Sequence, residues 1–370
     1  MIKKKVLFVF GTRPELIKLH PVIEVFKKSN KHEVKVCITS QHKELLHDLF
    51  EFFSFTYDVD LVVMKPNQTL VSSFLDIMEG LNKYHQEFKS DVIFVQGDTT
   101  SAFAGALFGF YNNIKVAHIE AGLRSGSLIS PFPEEGNRKM ISQVAFYHFC
   151  PTEYARINLY KENSTDNVFV VGNTVIDTLV ETIKITQEKE AKYKAYFEHL
   201  GVNFDNRIIL TTMHRRENFG TPLMDICAAI KEFSAYCDDA QFVIPVHPNR
   251  NGVMIRQQLS DCKGALLLPP LAYDNLVYLM NNCFVILTDS GGIQEEAISC
   301  NKPILILRDT TERQEVLEVG AGLLVHSDKV LIFSYLKRLF EMRKFYRSMT
   351  HKINPYGDGN ASQKILEIIG

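Results

Sequence analysis

No apolar run in the 370-residue sequence approaches the roughly 20 residues that a membrane helix needs, so no transmembrane segment is expected. The opening MIKKKVLFVFGT places three lysines before an apolar stretch, as a secretory leader does. Its VLFVF is shorter than the about 7–15 apolar residues of a leader, and no small-residue cleavage site follows. It reads as a buried first strand. Cysteine is scarce: seven residues, scattered, with neither a C-x-x-C pair nor metal-ligand spacing. That fits a reducing cytoplasm and gives no metal site. Charge of one sign is not in surplus either. Lys+Arg 41 against Asp+Glu 43, a net charge of −2, argues against an overall nucleic-acid-binding balance, although local cations can still hold phosphates. There is no low-complexity tract, and the two halves are not an obvious repeat of one another.

What is present is an alternation. Short Val-, Ile- and Phe-rich runs (KKVLFVF, HEVKVCI, YDVDLVV, DVIFVQ, KVAHIE) are each followed by a helical stretch, and they do not alternate polar with apolar. Strands buried on both faces of a parallel sheet have that pattern. The repeated order implies a doubly wound α/β domain. It weakens after FVVGNTVIDTL, passes through a charged helical segment from about Val180 to Leu200, and restarts with RIILTT, QFVIPV, ALLLPP, FVILTDS and PILIL. At 370 residues two domains are the natural expectation. The expected division is residues 1–172 and 173–353, with a last helix at about 354–370 packed back on the first domain. Two such domains facing one another would form a cleft at the carboxyl ends of both sheets, where open α/β sheets bind ligands.

Residues just past each strand are therefore the ones to weigh. In FGTRPELIK, Gly11 permits a tight turn, Thr12 can cap a helix and Pro14 suits its first turn; Arg13 and Lys18 would face the cleft or be solvated charges. Asp98, in VQGDTTSAF, reads by itself as a helix N-cap. Glu120 ends the run KVAHIE, and Glu134 and Glu135 open a helix after a Pro-rich loop. Asp98, Glu120 and Glu134 thus offer three carboxylates to one rim. Clustered carboxylates repel, which raises some pKa values and suits acid–base work. In the second domain His214, Arg215 and Arg216 follow a strand, and a His there can donate to phosphate. His247 follows another strand and reads as structural. LTDSGGIQEEA carries the strongest local signal. Ser290, Gly291 and Gly292 let backbone N–H groups approach a ligand at a helix start, which is an anion site. The dipole supplies only about 0.3–1 kcal/mol per charge, so a diphosphate would want cations such as Arg313, Arg13 or His214. Glu296, one turn on, could accept the hydroxyls of a ribose or be an ordinary solvated residue.

Taken together, GTRPELIKLHPV, QGDTTSAFAGALF, HIEAGLRSG, PFPEEGNRKM, VVGNTVIDTL, HRRENFG, LTDSGGIQEEA, RDTTERQE and NPYGDGNAS resemble the bacterial non-hydrolysing UDP-GlcNAc 2-epimerases, in order and over essentially the whole chain. The resemblance implies two Rossmann-like domains in the glycosyltransferase-like GT-B arrangement, with UDP held mainly by the second. It implies a catalytic set of Asp98, Glu120 and Glu134 with His214 near the diphosphate. Arg13, Lys18, Ser290, Gly291, Gly292, Glu296 and Arg313 fall at ligand-contacting positions. Leu271 and Leu276 fall at uracil-contacting places, Leu276 where some relatives carry an aromatic residue. Gln41, His42 and Lys43 fall in a regulatory UDP-GlcNAc site, with Lys43 where relatives usually carry an Arg. A Lys cannot make the bidentate fork of an Arg. The implied reaction interconverts UDP-GlcNAc and UDP-ManNAc by loss of UDP to 2-acetamidoglucal and re-addition, feeding a bacterial surface polysaccharide. No metal and no nicotinamide cofactor are implied, nor a nucleic-acid or membrane partner; a cytoplasmic homodimer is. A hydrolysing epimerase, a UDP-sugar glycosyltransferase and a non-catalytic UDP-sugar sensor are the competing readings.

Overall fold

A computed structural model of the chain describes residues 3–40, 43–65, 68–215, 218–247 and 250–370, the side chains of 43–45 and 250 lying outside that description. The chain divides into two compact units, residues 1–178 with 356–370, and residues 179–355.

The first unit runs β1 (Lys4–Phe10), α1 (Arg13–Lys28), β2 (His32–Ile38), α2 (Lys43–Phe52), β3 (Val59–Asp60), α3 (Leu70–Glu87), β4 (Val92–Gln96), α4 (Thr100–Tyr111), β5 (Lys115–Ile119), α5 (Glu134–Val144), β6 (Tyr147–Cys150), α6 (Glu153–Lys161), β7 (Val168–Val170) and the start of α7 (Thr174–Glu188). Its seven strands are parallel, in the order β3-β2-β1-β4-β5-β6-β7. The order reverses at β1/β4, so both loops that leave that point open at the carboxyl edge of the sheet. All five residues of β4 are buried, as expected of a strand covered on both faces. Phe8 of β1 and Phe94 of β4 stack with ring centroids 4.7 Å apart.

The second unit follows the division inside α7, past Gly172. It runs α8 (Glu190–His199), β8 (Arg207–Thr212), α9 (Thr221–Tyr236), β9 (Ala240–Pro245), α10 (Arg250–Leu259), β10 (Ala265–Leu268), α11 (Tyr273–Asn282), β11 (Val285–Thr288), α12 (Gly291–Ser299), β12 (Ile304–Ile306), α13 (Gln314–Glu318), β13 (Gly322–Leu324), α14 (Lys329–Glu341) and α15 (Arg343–Met349). Its six parallel strands are ordered β10-β9-β8-β11-β12-β13, reversing at β8/β11. The chain then returns to the first unit with α16 (Ala361–Ile369), which packs on α1. Asp177 holds the start of α16 by accepting from Ser362 N (2.8 Å), Ser362 Oγ (2.6 Å) and Ala361 N (3.2 Å). Among the described residues no helix is long and apolar enough to cross a membrane.

Two histidines in the first sheet make its stability depend on pH. His118 of β5 and His148 of β6 are register partners, both buried, each with a buried Nδ1 that has no hydrogen-bond partner. Burial pushes His118 down to about 3 and His148 down to about 4. In the unfolded chain each titrates near 6.5. Below pH 6.5 the unfolded state therefore binds protons that the folded state refuses, and stability falls as the pH falls. Each histidine contributes up to about 1.4 kcal/mol per pH unit. The urea midpoint should hold steady above pH 7, drop between pH 6.5 and 4, and drop less steeply once His148 is replaced by Gln. Burial raises Glu15 to about 7, which works the other way in this window, so the decisive comparison is between the two proteins: equal slopes for wild type and His148→Gln would contradict the buried neutral pair.

Candidate active site

In the first unit the ends of β4 and β5 lie side by side, Gln96 opposite Ile119. The polar residues that follow each strand must share the same edge. Asp98 does not cap α4. Thr99 does, its hydroxyl accepting from Ala102 N at 3.0 Å. Asp98 is left for Arg138 of α5, whose Nε and Nη2 reach Oδ2 at 2.8 and 2.6 Å. Arg138 also touches Glu135 Oε2 at 3.2 Å, and Asn137 Nδ2 donates to the Asp98 carbonyl at 2.8 Å. Burial would lower the Arg138 pKa, but the Asp98 charge and hydrogen bond outweigh it and hold the guanidinium firmly protonated.

Glu120, the residue after β5, has a backbone φ of +64°, unusual for a side chain larger than glycine and sustained only by its surroundings. Those surroundings are polar ties. Lys18 Nζ donates to Oε1 at 2.6 Å and to Oε2 at 2.5 Å, Gln96 Nε2 donates to Oε2, and Asn173 Nδ2 reaches Oε1 at 3.4 Å. Glu134 is different. It is the first residue of α5, and its Oε2 is buried with no hydrogen-bond partner. A buried acceptor with no donor requires an explanation, and a group of a bound ligand would supply one. So of these three carboxylates two are held by cations and one has an oxygen without a partner, as the adjacent Glu135 has at its Oε1. Burial raises Glu15 to about 7, against hydrogen bonds from Thr99, Thr12 and Gly11 that pull it down.

The second unit has a corresponding construction at its own switch point. Asp289, fully buried after β11, accepts from His214 N and Arg215 N at 2.9 Å each and from Asn218 Nδ2 at 3.0 Å. Its Oδ1 lies 3.1 Å from His214 Nδ1. Burial pushes Asp289 up, but the His214 contact and the two backbone N–H groups outweigh it and keep the carboxyl below its ordinary value. Asp289 thereby fixes the imidazole, half exposed, beside the start of α12. Ser290 precedes that helix without a side-chain cap, which leaves its first N–H groups for an anion. A Cβ on Gly291 would stand 3.1 Å from Arg313 Cζ, so the guanidinium lies directly against that turn. Arg313 Nε is anchored on Glu295 Oε1 at 2.9 Å.

The family model for UDP-N-acetylglucosamine 2-epimerase matches residues 24–370. The chain belongs to that family. A UDP-N-acetylglucosamine 2-epimerase of Salmonella borreze is 47% identical over 369 residues, 98% of this chain and 97% of that protein. Among solved structures, the Neisseria meningitidis UDP-GlcNAc 2-epimerase bound to UDP-GlcNAc is 43% identical, with a TM-score of 0.91 over 99% of each chain. The Methanocaldococcus jannaschii UDP-GlcNAc 2-epimerase in complex with UDP-GlcNAc and UDP is 32% identical, with a TM-score of 0.81 over 99% of each chain.

In this epimerase-family chain the residues singled out in the sequence fall as follows. Asp98, Glu120, Glu134 and Lys18 share one region of the first unit, where Arg13 is the half-buried first residue of α1. His214, Ser290, Gly291, Gly292 and Arg313 share one region of the second. Glu296 is buried, not solvated, and accepts from Tyr273 OH at 2.8 Å. Leu271 is buried ahead of α11 and Leu276 is half-buried on it. His247 is exposed at the end of β9. Gln41, His42 and Arg216 lie outside the described residues, as does the side chain of Lys43. Sequence reasoning missed Glu15 and Asn173 in the first unit and Asp289 in the second. Glu15 alone had a signal, the T-x-x-E spacing of a capping box.

Proposed function

We propose that this protein interconverts UDP-GlcNAc and UDP-ManNAc without hydrolysing them. The observation that carries the reading is the carboxylate set of the first unit: Asp98 and Glu120 each against a cation, and Glu134 with a buried oxygen that has no partner. The family membership gives the substrate class.

The C2 proton of the sugar has no adjacent carbonyl, so direct removal is costly. When the C1–O bond to UDP breaks, oxocarbenium character at C1 makes that proton acidic. One carboxylate takes it, leaving 2-acetamidoglucal and UDP. A phosphate oxygen of UDP then adds back to C1 while a second group returns a proton to the opposite face of C2. Two acid–base groups meet that need. In the second unit the uncapped start of α12, with His214 and Arg313, is suited to the charge of the departing UDP. A glycosyltransferase would need no such carboxylate set.

Incubation with UDP-GlcNAc alone tests this. UDP-ManNAc should appear, and in D2O both sugars should carry deuterium at C2. Free ManNAc with UDP would mean a hydrolysing enzyme. No turnover without an acceptor would leave a transferase or a sensor.

A further inference from the structure

Glu15 has no part in the reaction above, yet its carboxyl accepts four hydrogen bonds. Three come from the start of α1 onto Oε2: Gly11 N at 3.1 Å, Thr12 N at 2.8 Å and Thr12 Oγ1 at 2.7 Å. The fourth comes from the other side of the switch point, from Thr99 Oγ1 to Oε1 at 2.7 Å. The Thr99 hydroxyl is thereby used in both directions, donating to Glu15 and accepting from Ala102 N to cap α4. An ordinary capping box needs only the bond to the cap residue's own N–H, and an exposed glutamate can make it. Glu15 is instead 1% exposed, and burying a carboxyl is costly unless hydrogen bonds such as these four compensate it. What this one joins is specific. Asp98 is the residue before Thr99, and Lys18, which holds Glu120, lies three residues beyond Glu15 on α1.

We infer that Glu15 is a positioning residue for the epimerase reaction, tying the start of α1 to the start of α4 so that Asp98 and the Lys18–Glu120 pair keep their relative placement. The inference rests on the proposed function. It requires that Glu15 act on turnover through Thr99 and not merely brace the fold.

The test is a double-mutant cycle on kcat and KM for UDP-GlcNAc, with thermal melts in parallel. Glu15→Gln should lower kcat by about 10–100-fold, the scale of a misplacement on the order of 1 Å, with KM changed by less than about threefold. Thr99→Val should do the same. Thr99→Ser, which keeps the hydroxyl, should retain near-normal kcat. The double variant should be no slower than the slower single one, because the two changes break one link. Additive effects on kcat would overturn the inference, as would coupling seen in the melts and absent from kcat, or a Thr99→Ser enzyme as slow as Thr99→Val. If Glu15→Gln does not fold, the ratio of Thr99→Val to Thr99→Ser decides alone: equal kcat values reject the link. A wild-type protein that fails to interconvert the two sugars sinks the proposed function and this inference with it. A wild type that turns over beside unaffected variants sinks the inference only.

Discussion

Glu134→Gln is expected to cut kcat for the interconversion by roughly 10²–10⁴-fold, the usual contribution of an acid–base group, while leaving the melting temperature where it was. The substitution is nearly isosteric. The Oε2 it replaces makes no hydrogen bond, so no donor is left without its acceptor. Its two neighbours in the cluster are less clean. Glu120→Gln takes the charge from Lys18, whose side chain is 17% exposed against 5% for Glu120. Stranding one half of a buried pair costs on the order of 3–5 kcal/mol, so activity and stability should fall together. Asp98→Asn is intermediate, because Arg138 keeps Glu135 as a second partner. Steady-state kinetics in both directions, with melts of the same samples, would check the order. Near-normal turnover by Glu134→Gln and Asp98→Asn would remove the carboxylate set from the mechanism.

Gly291→Val should lower UDP affinity by about 100-fold or more, roughly 2.7 kcal/mol, without unfolding the second unit. A Cβ at this position already meets the Arg313 guanidinium at 3.1 Å, and that group is anchored through Nε on Glu295. A branched side chain therefore pushes the cation aside and covers the N–H groups at the start of α12. Gly292 has nothing within 4 Å of its own added Cβ, so Gly292→Ala should fold normally and serves as the control for helix integrity. Calorimetry with UDP distinguishes the outcomes. Unchanged affinity in Gly291→Val would place the diphosphate somewhere other than on α12.

Both sheets were legible in the sequence because a strand covered on two faces must be apolar along its whole length. DVIFVQ and RIILTT could be little else. The first sheet's edge was less so. YDVDLVV reads as a full strand, but only Val59 and Asp60 join the ladder, and Val62 turns away with φ +48°. An edge has one neighbour, so its residues are not held to one pattern. The site divided along the same line between local and distant. SGG at a helix start and the three strand-end carboxylates are local features. What holds them is not: Arg138 reaches Asp98 from another helix, Asp289 gathers a loop that begins at His214, and Glu15 meets Thr99 across the switch point. Those ties depend on which strands are neighbours and in what register, which no single window of residues records. The cap reading of Asp98 taken alone failed for the same reason, since Thr99 caps α4. Asp98 is instead held by Arg138, which no local spacing announces.

Residues 179–355 are one continuous stretch, while the first unit needs residues 356–370 to be whole. A chain growing from its N-terminus on the ribosome therefore completes its second unit before its first, the reverse of the usual order of synthesis-coupled folding. Through that interval the flank of α1 that α16 will cover stays bare, and Asp177 waits without Ser362. A chain cut short between residues 356 and 370 would carry the whole span of the second unit attached to an incomplete first one, the unit that carries Asp98, Glu120 and Glu134. Loss of residues 356–370 would thus be felt not beside them in the sequence but in the unit that holds residues 1–178.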